Sequence, residues 1–272
     1  MLAEEGKFER SNSEIKAIVN GREVRWEEIK HWKSICAAHV LQELIDLGQD
    51  VYLNQQVLTH QNFYQLTEDE LIQAAIESKL ALGTDKILEI YDERLNESDA
   101  IWKTFVQCTP KYSSFKERHV IIGVEGINPT TVSNIDQESG MSLEGSYSLH
   151  PELSQKDNMQ LVMETFGNYK HPSLFKFEML EPNIHKLPGD IDPNAAKVIF
   201  GVEYLAHTGL NINQYAMHQF FPKDNGLKID LGIFVPQGIP DEAVIGHMEH
   251  FAIEFSSVFK NLIDMMRRQS EK

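Results

Sequence analysis

"INQYAMHQFFPKDNGLKIDLGIFV", residues 212–235, consists of two β-prone runs around a turn. Residues 212–221 and 227–235 are rich in β-branched and aromatic side chains, which suit a pleated, half-buried surface. "KDNG" between them supplies the Asp, Asn and Gly of a tight hairpin turn. A connection this short joins antiparallel strands, because parallel neighbours need a crossover of a dozen or more residues.

Working outward, four more strands are predicted: "HVIIGVEGI" (119–127), "MSLEGSYSL" (141–149), "SLFKFEML" (173–180) and "KVIFGVEYL" (197–205). Two helices punctuate them, at about 155–168 and 240–268. V-I-x-G-V-E recurs at 120–125 and 198–203, and each copy is followed by strand material, a proline and a helix with Met and Phe seven apart. A duplicated β-rich unit would explain this. Chance likeness between strands of similar composition is the simpler account.

The first 110 residues read as mainly helical. "IKAIVNGREVRW" (15–26) places Asn-Gly, suited to a type I′ turn, between two short strands. A helix from Trp26 to Leu47 follows, its apolar residues at three- and four-residue steps and Gly48 placed to end it. Thr67 and Glu70 in "TEDE" form a capping box for a helix ending at Gly83. "DKILEIYDERL" and "DAIWKTFVQC" read as two further helices. The expected fold is therefore α+β: a helical region over residues 1–110 with a small hairpin, then an antiparallel sheet over 111–272, packed by a long C-terminal helix in a helix-grip-like arrangement.

A formal net charge of −16 with no long run of one sign describes an acidic, solvated surface. Such a field opposes nonspecific binding to nucleic acid or anionic membranes, which needs Lys and Arg to displace counterions. No apolar run reaches membrane-spanning length. "MLAEEGKFER" lacks the charged and apolar regions of a signal peptide, so a cytoplasmic, soluble protein is expected. Cys36 and Cys108 read as two buried thiols. Neither GxSxG, Walker A, GxGxxG nor HExxH occurs.

The final helix holds the sharpest candidates. At about 100° per residue, Val244, Met248, Phe251, Phe255, Val258, Phe259, Leu262 and Met266 share one broad face. His247, His250 and Glu254 form a stripe along its flank. His250 and Glu254, four apart, can pair on a helix surface, and with His247 could reach one ion, since imidazole and carboxylate suit Zn²⁺. Their angle points toward solvent, so a solvated polar flank is the plainer reading.

The strand, the Pro-containing turn and the long helix carrying His-x-x-x-Glu resemble the C-terminal end of the zinc-dependent hydrolases of diacylphloroglucinol type. Members of that family join a helical N-terminal part to a helix-grip domain that cleaves a carbon–carbon bond. The resemblance implies His250 and Glu254 as two zinc ligands, with His171 ("YKHPSL") and Glu203 ("GVEYL") in the other two places.

Strand alternation sets Val124 and Val202 on one face and Glu125 and Glu203 on the other, so outward, solvated glutamates are expected. Tyr204, His207, Tyr215 and His218 fall on adjacent strands, where they either form cross-strand pairs or line a pocket together with Phe251, Phe255 and Phe259. Three functions follow. A non-enzymatic binding or interaction protein, with a protein partner or a small apolar ligand between sheet and helix and no cofactor, is favoured. A zinc-dependent hydrolase of an aromatic or acyl substrate is the alternative. A structural subunit of a homo-oligomer is the third.

Overall fold

The computed structural model describes residues 14–110, 113–127, 161–165, 172–182 and 187–270. The chain opens with a hairpin, β1 (Ile15–Val19) and β2 (Arg22–Arg25), turned by Asn20 and Gly21 in the left-handed region at φ 50° and 79°. The helix α1 (Trp26–Asp46) follows. A second small hairpin, β3 (Val51–Leu53) and β4 (Gln56–Leu58), lies in a stretch that carries no strong strand signal. Its turn residues Asn54 and Gln55 take φ 52° and 66°. A single turn, α2 (His60–Phe63), leads to α3 (Glu68–Leu82), whose capping box forms as expected: the Glu70 amide donates to Thr67 Oγ1 and the Thr67 amide to Glu70 Oε2.

The two helices expected next are one, α4 (Thr84–Cys108). "NESD" between them contains no Gly or Pro to break the backbone, and Leu95, Ser98, Asp99 and Trp102 continue one buried stripe through it. Cys108, expected to be buried, is exposed at the end of α4.

The remaining strands are β5 (Lys116–Glu125), β6 (Leu161–Glu164), β7 (Ser173–Met179), β8 (Lys197–Leu205), β9 (Asn211–Lys223) and β10 (Gly226–Val235). With the N-terminal hairpin they build an eight-stranded antiparallel sheet of order β2-β1-β5-β10-β9-β8-β7-β6. The protein is α+β. The β9–β10 hairpin lies at its centre, so the opening stretch of sequence is the spine of the sheet. The helix α5 (Asp241–Ser270) packs on one face.

Residues 161–164, read as helix, are strand. Leu161, Val162, Met163 and Glu164 pair with Lys176, Phe175, Leu174 and Ser173 of β7, and this pairing overrides the weak helical preference of Leu and Met. The rest of that expected helix and the strand expected at 141–149 lie outside the described residues. The repeated V-I-x-G-V-E does not take equivalent positions. Val120 and Val124 face α5, whereas Val198 and Phe200 pack on the opposite face with Met217 and Phe234.

The main core lies between the sheet and α5. Ile122, Val124, Ile229, Leu231 and Ile233 meet Val244, Met248, Phe251, Phe259 and Ile263. Each large apolar side chain buried here contributes roughly 1.5–3 kcal/mol. Met266, expected on this face, is exposed, because α5 has passed the sheet by its last turns. α1 also packs against α5, and Lys33 Nζ donates to Ser257 Oγ at 3.1 Å. A second cluster joins α1, α3 and α4 to Met163 and Leu174. No helix among the described residues is long and apolar enough to cross a membrane.

Candidate functional site

α5 and the β6–β9 side of the sheet line a partly open cavity of about 300 Å³. Its apolar walls are chiefly Phe175 and Phe177 from β7, Ile199 from β8, and Phe251 and Phe255 from α5. Its polar groups are Glu164 from β6, Glu203 from β8, His218 from β9 and Glu254 from α5. Strand alternation aims the three strand-borne groups inward: Val162 and Glu164, Ile199 and Glu203, and Ala216 and His218 all face α5.

His250 joins this group. Its Nε2 lies 2.9 Å from Glu164 Oε2, with both side chains less than a tenth exposed. The His247 ring stacks on that of His250 at 5.4 Å and leans on Phe251 at 4.4 Å. The expected solvated flank is therefore overturned: His247 is 0% exposed and His250 6%. A helix covered by a sheet on one side and by α1 on another has little solvated surface along its middle.

Glu203, expected to point outward, is likewise buried at 9%, while Glu125 is exposed as expected. Alternation from Phe200, which faces the other cluster, turns Glu203 toward α5. Gln214, its partner across the β8–β9 register, donates from Nε2 to Glu203 Oε2.

Three carboxylates in one cavity set the electrostatics. Burial raises Glu203 well above the usual carboxylate range, and Glu164 and then Glu254 add repulsion, against the Gln214 hydrogen bond and the attraction of His250. Burial pushes His218 down to about 4 and His247 down to about 3, although neighbouring carboxylates pull both upward.

Of the residues singled out from sequence, Glu203, His218, His250, Phe251, Glu254 and Phe255 come together here. Phe259 is buried in the main core instead. Tyr215 stacks on Phe200 at 5.9 Å on the opposite face, and Tyr204, half-buried, interacts with Glu178 and Tyr215. His207 is exposed in the β8–β9 turn. His171 lies outside the described residues. Glu164 and Gln214 escaped sequence reading. The only signal for Glu164 was a two-step alternation with Val162, too short to outweigh a helical pattern.

Among the described residues no three His, Cys, Asp or Glu side chains stand around a common point as ligands of an ion would. The donor types nevertheless fit a divalent metal: one imidazole and three carboxyl groups, with Glu164, Glu203 and His250 buried and Glu254 half-buried, suit Zn²⁺ or a similar ion. No protein-family model matches the chain, and no curated protein matches it in sequence.

Proposed function

We propose that this protein is a metal-dependent hydrolase acting on a small aromatic or acyl substrate in the cavity between sheet and C-terminal helix. The observation that carries the reading is the meeting of Glu164, Glu203 and Glu254 in one cavity with phenylalanine walls, with His250 set against Glu164. Sequence pointed to three of these four as ligands on other grounds.

Glu164, Glu203, His250 and Glu254 would hold the ion, their side chains drawing together from positions that share no common point here. When bound, such an ion polarises a carbonyl and lowers the pKa of a water molecule. The protein's own residues do the rest. Phe175, Phe177, Phe251 and Phe255 bind a flat apolar body and exclude bulk water. Gln214 orients the Glu203 carboxylate from behind. Hydrolysis breaks the acyl bond, adding the hydroxyl of water to the acyl carbon and its proton to the leaving atom.

Metal analysis of the purified full chain tests the proposal. Close to one equivalent of a divalent metal is expected, falling on His250→Ala and Glu254→Ala substitution. A metal-free chain that also fails to take up Zn²⁺ in calorimetry would overturn it.

A second reading, an apolar-ligand carrier without catalysis, is favoured by the direct approach of His250 to Glu164. In that case the pair is a closed ionic contact behind the aromatic walls. Ligand binding that is indifferent to added metal, with no turnover, would select it.

A further inference from the structure

We propose that His218 is the specificity residue of the cavity, giving the hydrogen bond that selects a ligand carrying an uncharged polar group over its apolar isostere. The inference rests on reading this cavity as the ligand site, whether or not a metal binds there.

His218 sits on β9 between two rings of α5. Phe251 and Phe255 meet it edge-on at centroid distances of 5.3 Å and 5.0 Å, and both also wall the cavity. These contacts fix the imidazole plane, so the ring is not free to swing toward another partner. The side chain is 6% exposed, and its Nδ1 has no hydrogen-bond partner among the described residues. A buried polar atom left unsatisfied is costly, and such atoms in native proteins call for an explanation. The ring lines the cavity between Phe251 and Phe255, so a ligand seated there lies against the imidazole and can offer it a hydrogen bond.

The surroundings define the ligand atom that does so. Glu164, Glu203 and Glu254 share the cavity and repel an anion. Burial keeps His218 neutral at physiological pH, so it offers one donor and one acceptor nitrogen and no charge. A hydroxyl or carbonyl on an otherwise apolar ring meets these conditions.

The test uses two fluorinated probes, 4-fluorophenol and its apolar isostere 4-fluorotoluene, followed by ¹⁹F NMR titration of the full chain at pH 7.5. The unmutated protein should bind the phenol roughly three- to tenfold more tightly, the range that one net hydrogen bond supports. His218→Phe should bind both probes equally, and His218→Gln should keep part of the preference. Should the variants fold poorly, the imidazole ¹⁵N shifts of the unmutated chain give the same answer. The His218 signals should move with the phenol and not with the toluene. No binding of either probe, equal affinities, a preference that survives in His218→Phe, or unmoved His218 signals would each overturn the inference. Metal content, measured on the same samples, keeps the two proposals apart. A metal-free protein with the phenol preference sinks only the hydrolase, and a metal-loaded protein without it sinks only the role of His218.

Discussion

His250 Nε2 stands 2.9 Å from Glu164 Oε2, tying the C-terminal helix to the edge strand β6 with both side chains less than a tenth exposed. Breaking such a pair from one side leaves an uncompensated buried charge, which typically costs about 3–5 kcal/mol. His250→Ala should therefore lower the unfolding free energy by that order, and the denaturation midpoint with it. Glu164→Gln added to it should restore part of the loss, because the orphaned carboxylate is then gone. Denaturant titration of the single and double variants measures this, and an unchanged midpoint in His250→Ala would show that the pair carries no weight.

Gln214 supports the site without lining its cavity. Outer partners of metal ligands typically account for a 10- to 100-fold factor in metal affinity, roughly. Gln214→Leu, which keeps the bulk and removes the amide, should weaken Zn²⁺ binding by that factor while the fold persists. Competition with a chromophoric chelator gives the affinity, and circular dichroism checks the fold.

Lys33 sets a pH dependence on the far side of α5. Burial pushes its ammonium down to about 8 from its ordinary value of 10.5. The folded pKa lies below the unfolded one, so the unfolded chain holds the extra proton between these values. The contribution of Lys33 to stability thus rises with pH from about 8 to 10.5 and is at its least favourable below 8. At one pKa unit per 1.36 kcal/mol, the cost at neutral pH is on the order of 3 kcal/mol. Lys33→Met should stabilise the protein at pH 7 by up to that amount, less the lost hydrogen bond to Ser257. The gain should shrink as pH climbs to 10.5, and a gain independent of pH would refute the assignment.

Gly201 shapes the cavity wall from beneath. A Cβ at this position would stand 2.3 Å from Cζ of Phe177, well inside contact distance. Gly201→Ala should displace the Phe177 ring, change the cavity and weaken binding of 4-fluorophenol, and it should also cost stability, because the Cβ meets the Glu178 backbone oxygen at 2.7 Å. Equal affinity in the variant would show that the Phe177 ring is not a binding wall.

Legibility in the sequence followed the range of the interactions. Asn20-Gly21, Thr67 with Glu70, and the stop at Gly83 were readable because turns and caps are decided by residues a few positions apart. α4 is continuous where two helices were expected, since "NESD" holds no residue that breaks a helix and Leu95 and Trp102 continue one buried stripe across it. Leu161–Glu164 was misread because only its pairing with β7 makes it a strand.

The site divided along the same line. His250 and Glu254 stood out because a four-residue step on a helix is local geometry. Their burial did not follow, since it depends on α1 and β6 closing over the flank of α5. Glu203 could be named, but its inward face could not, and Gln214 has meaning only through the β8–β9 register.

By itself, then, the sequence determined the α+β class, the central β9–β10 hairpin and the amphipathic terminal helix, because periodicity and turn chemistry act within a few residues. Only the tertiary structure decided that Glu164, Glu203, His218, His250 and Glu254 share one cavity. Their meeting depends on strand order and facing, and those are settled by contacts between residues far apart in the chain.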